Sequence, residues 1–108
     1  MNQKLYERLC EVARKGVVAR YSEVAPVVGL DMANPADRDR ISILLDEISR
    51  HEHELGHPML SAVVIHKDDN MPGNGFFALA QGLGLFRGGD RFQYFLEELK
   101  RVHVHWRA

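Results

Sequence analysis

Residues 16–25 read Gly16-Val17-Val18-Ala19-Arg20-Tyr21-Ser22-Glu23-Val24-Ala25, and this stretch decides the fold that the sequence predicts. The β-branched and aromatic run Val17–Tyr21 predicts a short strand. Ser22 follows it directly and is an N-cap candidate for a helix over Glu23–Val28, which ends at Gly29. The sequence therefore predicts a short strand joined without a loop to a short second helix.

Amphipathic helices flank this stretch on both sides. Before it, apolar residues at helical spacing predict a first helix over residues 2–15, which Gly16 ends. After it, Asn34 is the expected cap of a long third helix whose first position is Pro35, and Gly56 ends this helix. The apolar stripe of the third helix consists of Ile41, Leu44, Leu45, Ile48 and Leu55.

The second half of the chain begins with Met59–His66, a mostly apolar and β-branched run that predicts a buried strand. A turn-rich loop over Lys67–Gly75 follows. Residues 76–86 are compatible with a strand or a short helix, and their leucine and alanine content favours the helix. Asp90 is the expected cap of a last helix, and Val104 and Trp106 are expected in an extended tail. The apolar stripe of that helix is Phe92, Phe95, Leu96, Leu99 and Val102.

The predicted order of elements is helix, short strand, helix, long helix, strand and loop, with a C-terminal helical addition. This α+β order resembles a winged helix, in which the loop Lys67–Gly75 occupies the place of the wing. A chain of 108 residues is long enough for one hydrophobic core and too short for two. We therefore expect residues 1–108 to form a single winged-helix-like domain.

Composition limits the classes of function. The formal net charge is −1, so a role in nucleic-acid binding needs a local basic patch. No run approaches the length of a membrane span, and the start of the chain has no apolar signal core, so we expect no membrane partner. The single cysteine, Cys10, has no intrachain partner and is expected to be a buried, inert thiol, which favours the reducing cytoplasm.

The string His53-Glu54-Leu55-Gly56-His57 is a literal H-E-x-x-H. On a continuous helix, this spacing places two imidazoles on one face to hold Zn²⁺, with Glu54 beside the metal-bound water as general base. Gly56 and Pro58 surround His57, however, and predict that the helix ends before it. A small zinc peptidase with Glu97 or Glu98 as third ligand is therefore the alternative interpretation, and a solvated helix end without metal or cofactor is the preferred one.

The stretch from Gly16 to Ala25, followed by Gly29, resembles the helix-turn-helix entry of the alkylguanine-DNA alkyltransferase and alkyltransferase-like proteins. In that family a tyrosine and an arginine of the third helix act in DNA binding and nucleotide flipping, and the matching positions are Tyr21 and Arg40. The family's reactive element is Pro-Cys-His-Arg-Val. The corresponding segment here is Pro58-Met59-Leu60-Ser61-Ala62-Val63, which lacks the nucleophilic cysteine, so the resemblance implies DNA binding without alkyl transfer.

These observations predict a non-enzymatic module that binds a macromolecule, with DNA ahead of protein. The expected contact residues are Tyr21, Ser22, Arg38, Arg40, Lys67 and Asn70. Two features count against DNA. Acidic residues alternate with the arginines of the third helix, which is typical of a solvated face and opposes contact with phosphates. Asp68 and Asp69 make the loop net acidic, and this feature favours a protein partner over DNA.

The aromatic residues of the second half support the alternative of protein interaction or a homodimer. A core supplied by three helices and a strand leaves several large side chains as candidates for a contact patch. These side chains are Phe76, Phe77, Phe86 and Trp106. Coverage of the same side chains by the last helix is the competing interpretation.

Overall fold

The computed structural model describes residues 1–107, and these form five α-helices, two short 3₁₀ helices and a two-stranded sheet. The elements in chain order are α1 (Gln3–Arg14), β1 (Ala19–Arg20), α2 (Tyr21–Val24), a 3₁₀ helix (Ala25–Val28), α3 (Pro35–Glu54), a second 3₁₀ helix (Leu60–Val63), β2 (Val64–Ile65), α4 (Asn74–Gly82) and α5 (Arg91–Trp106). The chain is therefore α+β and mainly helical. No helix within residues 1–107 is both long and apolar enough to cross a membrane.

The two strands pair in parallel, with Ala19 opposite Val64 and Arg20 opposite Ile65. The carboxyl ends of parallel strands lie at the same edge of a sheet. The residues that follow β1 and β2, Tyr21 and His66, are therefore neighbours although 45 positions separate them in the sequence. This edge of the sheet positions the candidate site described below.

The core lies between α1, α3 and α5, which pack around the buried 3₁₀ helix Leu60–Val63. The predicted stripes of α1 and α3 are confirmed as buried, except that Leu55 lies beyond the end of α3 and is 54% exposed. Cys10 is buried, as predicted, and burial raises the pKa of its thiol. The thiol is therefore held in its protonated, unreactive form.

The predicted strand over Met59–His66 is wrong in extent, although the segment is buried. Only Val64 and Ile65 are extended, and residues 60–63 form a 3₁₀ helix. Side chains of neighbouring helices satisfy the backbone donors here in place of a ladder. The N–H of Met59 donates to Oε2 of Glu98 at 2.9 Å, and the N–H of Ser61 donates to Oγ of Ser49 at 3.0 Å. Both partners are buried, and the sequence pattern did not reveal them.

The predicted start of the second helix is also wrong. Helix α2 begins at Tyr21 and the N-cap is Arg20, so Ser22 lies inside the helix. The carboxylate of Glu23 reaches back and accepts the backbone N–H of Arg20 at 2.9 Å, which replaces the expected serine cap. The predicted cap of α3 at Asn34 is confirmed, with Oδ1 accepting the N–H of Ala36.

The C-terminal third is helical throughout most of its length. Residues 74–82 form α4, as the leucine and alanine content favoured, and Asp90 caps α5 as predicted. The extended tail is wrong, because α5 continues to Trp106. The buried face of α5 also differs from the predicted stripe, since Tyr94 and Glu98 are buried while Phe92 and Leu96 are 49% and 46% exposed.

The aromatic side chains proposed as a contact patch mostly belong to the core. Phe76, Phe77 and Phe86 are buried and pack against one another and against Tyr94 of α5. Trp106 is partly buried against the same core cluster. The interpretation that the last helix covers these side chains is therefore confirmed for Phe76, Phe77 and Phe86, which contact Tyr94 and Arg91 of α5.

Candidate functional site

Four of the six predicted contact residues, Tyr21, Ser22, Arg38 and Lys67, line one cavity of about 350 Å³ at the carboxyl edge of the sheet. We call it the Tyr21 cavity. Its remaining lining residues are Arg20, Met32, His66 and Asp68. The residues come from the end of β1, the start of α2, the loop before α3, α3 itself and the loop after β2, so the site exists only once the chain has folded.

The wall of the Tyr21 cavity is a stack of two rings. The rings of Tyr21 and His66 have centroids 4.3 Å apart and an interplanar angle of 21°. The Oη of Tyr21 accepts the backbone N–H of Gly73 at 3.1 Å, which fixes the end of the loop against the ring. Burial raises the pKa of Tyr21, although this hydrogen bond lowers it in part, so the phenol is neutral at physiological pH.

Arg38 is held in place by the loop that precedes its helix. Its Nε donates to the carbonyl of Met32 at 2.7 Å, and Nη2 donates to the carbonyl of Ala33 at 3.3 Å. Two hydrogen bonds to fixed carbonyls reduce the conformational freedom that a long side chain would lose when it binds a ligand. The guanidinium is therefore preorganised at the rim of the cavity.

The other two predicted residues lie outside the cavity lining. Arg40 is exposed on α3, two positions beyond Arg38, and residues at that spacing do not share a helix face. Asn70 is exposed at the tip of the loop after β2, with φ of 56°, a left-handed conformation that asparagine tolerates. Its N–H donates to the carbonyl of His66 at 2.9 Å. Asn70 thus has a defined role in shaping the loop.

The formal charges of the Tyr21 cavity are unlike those of the whole chain. Among the lining residues, Arg20, Arg38 and Lys67 are basic and Asp68 is acidic, whereas the chain as a whole has a net charge of −1. The sequence did not single out Arg20, which the fold adds because it ends β1. A chain without a net positive charge can attract an anionic partner only through a local basic patch, and this cavity is such a patch.

The H-E-x-x-H string does not have the geometry of a metal site. Helix α3 ends at Glu54, and Gly56 has φ of 77°, so His57 lies beyond the helix. Within residues 1–107, no group of three histidine, cysteine, aspartate or glutamate side chains is arranged to hold a metal ion. Glu54, the expected general base, is exposed. The zinc interpretation therefore has no support in the geometry.

The sequence analysis missed Glu52, the carboxylate that organises this region. Glu52 is fully buried; its Oε2 accepts from Oη of Tyr6 at 3.1 Å and its Oε1 accepts from Nδ1 of His57 at 3.1 Å. Burial is the main cause that raises the pKa of Tyr6, and the charge and the hydrogen bond of Glu52 add to this rise. The only signal available beforehand was the position of Glu52 one turn after Ile48 on the buried stripe of α3.

Comparisons with known proteins give no relative for this arrangement: no family model, no curated protein and no solved structure matches the chain. The class that the fold and the site define is an α+β domain with a preorganised basic cavity at the edge of a parallel strand pair.

Proposed function

We propose that this domain is a non-enzymatic, winged-helix-like module that binds a macromolecule, and that DNA is the partner that the Tyr21 cavity fits best. The observation that carries the proposal is the convergence of Arg20, Arg38 and Lys67 on one concavity in a chain without a net positive charge. Arginine and lysine at fixed positions bind phosphates by charge and by hydrogen bonds.

The order of elements supports the winged-helix-like assignment. Helix α1, β1, α2, α3 and β2 follow one another in the predicted order, and the loop after β2 lies beside the start of α2. This loop leads into α4, where a wing would be followed by a returning strand. The proposed docking therefore depends on the cavity rim more than on a β-hairpin.

The experiment is a titration of a labelled DNA duplex by fluorescence anisotropy at several salt concentrations. Arg38→Gln and Lys67→Gln should each weaken binding to all sequences by similar factors and reduce the salt slope by about 1. The matched control is Lys100→Gln, because Lys100 is exposed on α5 and outside the cavity lining. Absence of binding to any duplex at low salt, or an equal loss in the control, would contradict the proposal.

Arg38 and Arg40 separate two versions of the proposal. The cavity requires a larger effect of Arg38→Gln, whereas the resemblance to the alkyltransferase family assigns the DNA contact to Arg40. A larger effect of Arg40→Gln would move the interface to the other face of α3.

The double substitution Asp68→Lys with Asp69→Lys should strengthen nonspecific DNA binding, because it removes two carboxylates from the loop after β2. Unchanged DNA affinity would exclude this loop from the interface.

A protein partner is the second candidate. Phe92 and Leu96 lie one turn apart on α5 and are both about half exposed, which makes α5 the surface for a protein contact or a homodimer. Sedimentation at micromolar concentration tests the homodimer. A clean monomer would exclude it, and a dimer that Leu96→Ser dissociates would support it.

A further inference from the structure

A second cavity, of about 310 Å³, lies at the C-terminal end of α3. We call it the His57 cavity. Its lining consists of His53, Gly56, His57, Pro58, Leu85, Glu98 and Arg101. It thus gathers the two histidines of the H-E-x-x-H string with an arginine and a carboxylate of α5.

The carboxylate of this cavity accepts one hydrogen bond from the protein on each of its two oxygens. Glu98 accepts the N–H of Met59 on Oε2 at 2.9 Å and Nε of Arg101 on Oε1 at 2.8 Å. The side chain of Glu98 is 5% exposed, whereas that of Arg101 is 56% exposed. The guanidinium of Arg101 is therefore the more exposed member of this ion pair in the cavity lining.

The donors of the cavity remain available. Within residues 1–107, the two Nη atoms of Arg101 make no hydrogen bond, so the flat end of the guanidinium can form two parallel bonds to one carboxylate. Nδ1 of His57 donates to Oε1 of Glu52, which fixes the orientation of this ring in the cavity lining. His53 supplies a second imidazole on the same lining.

The rest of the lining is apolar. Pro58 and Leu85 provide carbon surface, and Leu85 is 40% exposed. From this combination we infer that the His57 cavity binds a small monocarboxylate with an apolar body, held by Arg101 at its charged end. This site is separate from the Tyr21 cavity and does not depend on the DNA-binding proposal.

The test is an NMR titration of the full chain with benzoate, with benzamide as the neutral analogue and inorganic phosphate as an anion without an apolar body. Benzoate should bind saturably, shift the signals of Arg101, His57 and Leu85, and bind about tenfold more tightly than benzamide, because a charged acceptor forms stronger hydrogen bonds with a guanidinium than a neutral amide does. Phosphate should bind more weakly than benzoate. Tighter phosphate binding, equal binding of benzamide, or no saturable shift at these residues would overturn the inference.

A substitution localises the binding. Arg101→Lys keeps a positive charge beside Glu98 but loses the fork of two Nη donors, so benzoate affinity should fall about fivefold or more. Arg107→Lys, an exposed arginine outside the cavity lining, is the control and should leave the affinity unchanged. An unchanged affinity in folded Arg101→Lys would refute the role of Arg101. If this variant does not fold, the comparison of benzoate with benzamide on the wild-type chain still tests whether the cavity prefers a carboxylate.

Discussion

The hydroxyl of Tyr21 accepts the backbone N–H of Gly73 at 3.1 Å, across 52 positions of the sequence. Gly73 also lies against the ring that stacks on Tyr21: a Cβ at this glycine would be 3.1 Å from Nε2 of His66 and 3.3 Å from Oη of Tyr21. The start of α2, the end of β2 and the start of α4 thus meet at one point. The stacked rings that form the cavity wall therefore pack closely against Gly73, where a larger residue would collide with them.

Tyr21→Phe should lower the free energy of unfolding by about 1 kcal/mol, because the N–H of Gly73 loses its acceptor in a partly buried position. Urea unfolding followed by circular dichroism measures this. DNA affinity should change little, since the hydroxyl is engaged with the protein and the ring is retained. A large loss of DNA affinity with unchanged stability would show instead that the hydroxyl contacts DNA.

Gly73→Ala should destabilise the fold by about 1–2 kcal/mol, because the stacked rings of Tyr21 and His66 must both shift to admit a methyl group. Gly82→Ala in α4 is the matched control. A Cβ there meets nothing within 4 Å, so alanine should stabilise the helix by about 0.5–1 kcal/mol. Thermal unfolding of both variants tests whether the two changes in stability have opposite signs. An increase in stability for Gly73→Ala would mean that the rings of Tyr21 and His66 move aside without a cost in free energy.

Glu52→Ala should destabilise the fold by about 3 kcal/mol or more, because it leaves a cavity and removes the acceptor of both Tyr6 and His57. Glu54→Ala, two positions later on the same helix, is exposed and should change the free energy of unfolding by no more than about 0.5 kcal/mol. Chemical denaturation measures both. Similar values for the two variants would contradict the structural role of Glu52.

Asp46→Asn should raise the melting temperature at neutral pH. Burial raises the pKa of Asp46, and the charge of Arg50 offsets part of this rise. The carboxyl of Asp46 therefore holds its proton more tightly in the folded chain than in the unfolded chain. Its ionisation lowers the free energy of unfolding as the pH rises past the ordinary aspartate range, and this destabilisation is absent below that range. The gain from asparagine should vanish at about pH 3. A gain that is equal at both pH values would show that charge is not its cause.

The sequence determined the features that depend on neighbouring residues. The spacing of Ile41, Leu44, Leu45 and Ile48 gave the buried face of α3, and Asn34 and Asp90 cap their helices as predicted. These features follow from the period of the helix and from the few backbone donors at its first turn, both of which act over three or four residues. Gly56 likewise ended α3 before His57.

The tertiary structure alone decided which distant groups satisfy one another. Met59 and Ser61 look like strand residues in isolation, but acceptors from α5 and α3 occupy their N–H groups and only Val64–Ile65 remains extended. The parallel pairing of β1 with β2 brought Tyr21 beside His66 and added Arg20 to the cavity. A buried carboxylate such as Glu52 is stable only with partners at hydrogen-bond distance, and a local pattern of residue types does not encode those partners.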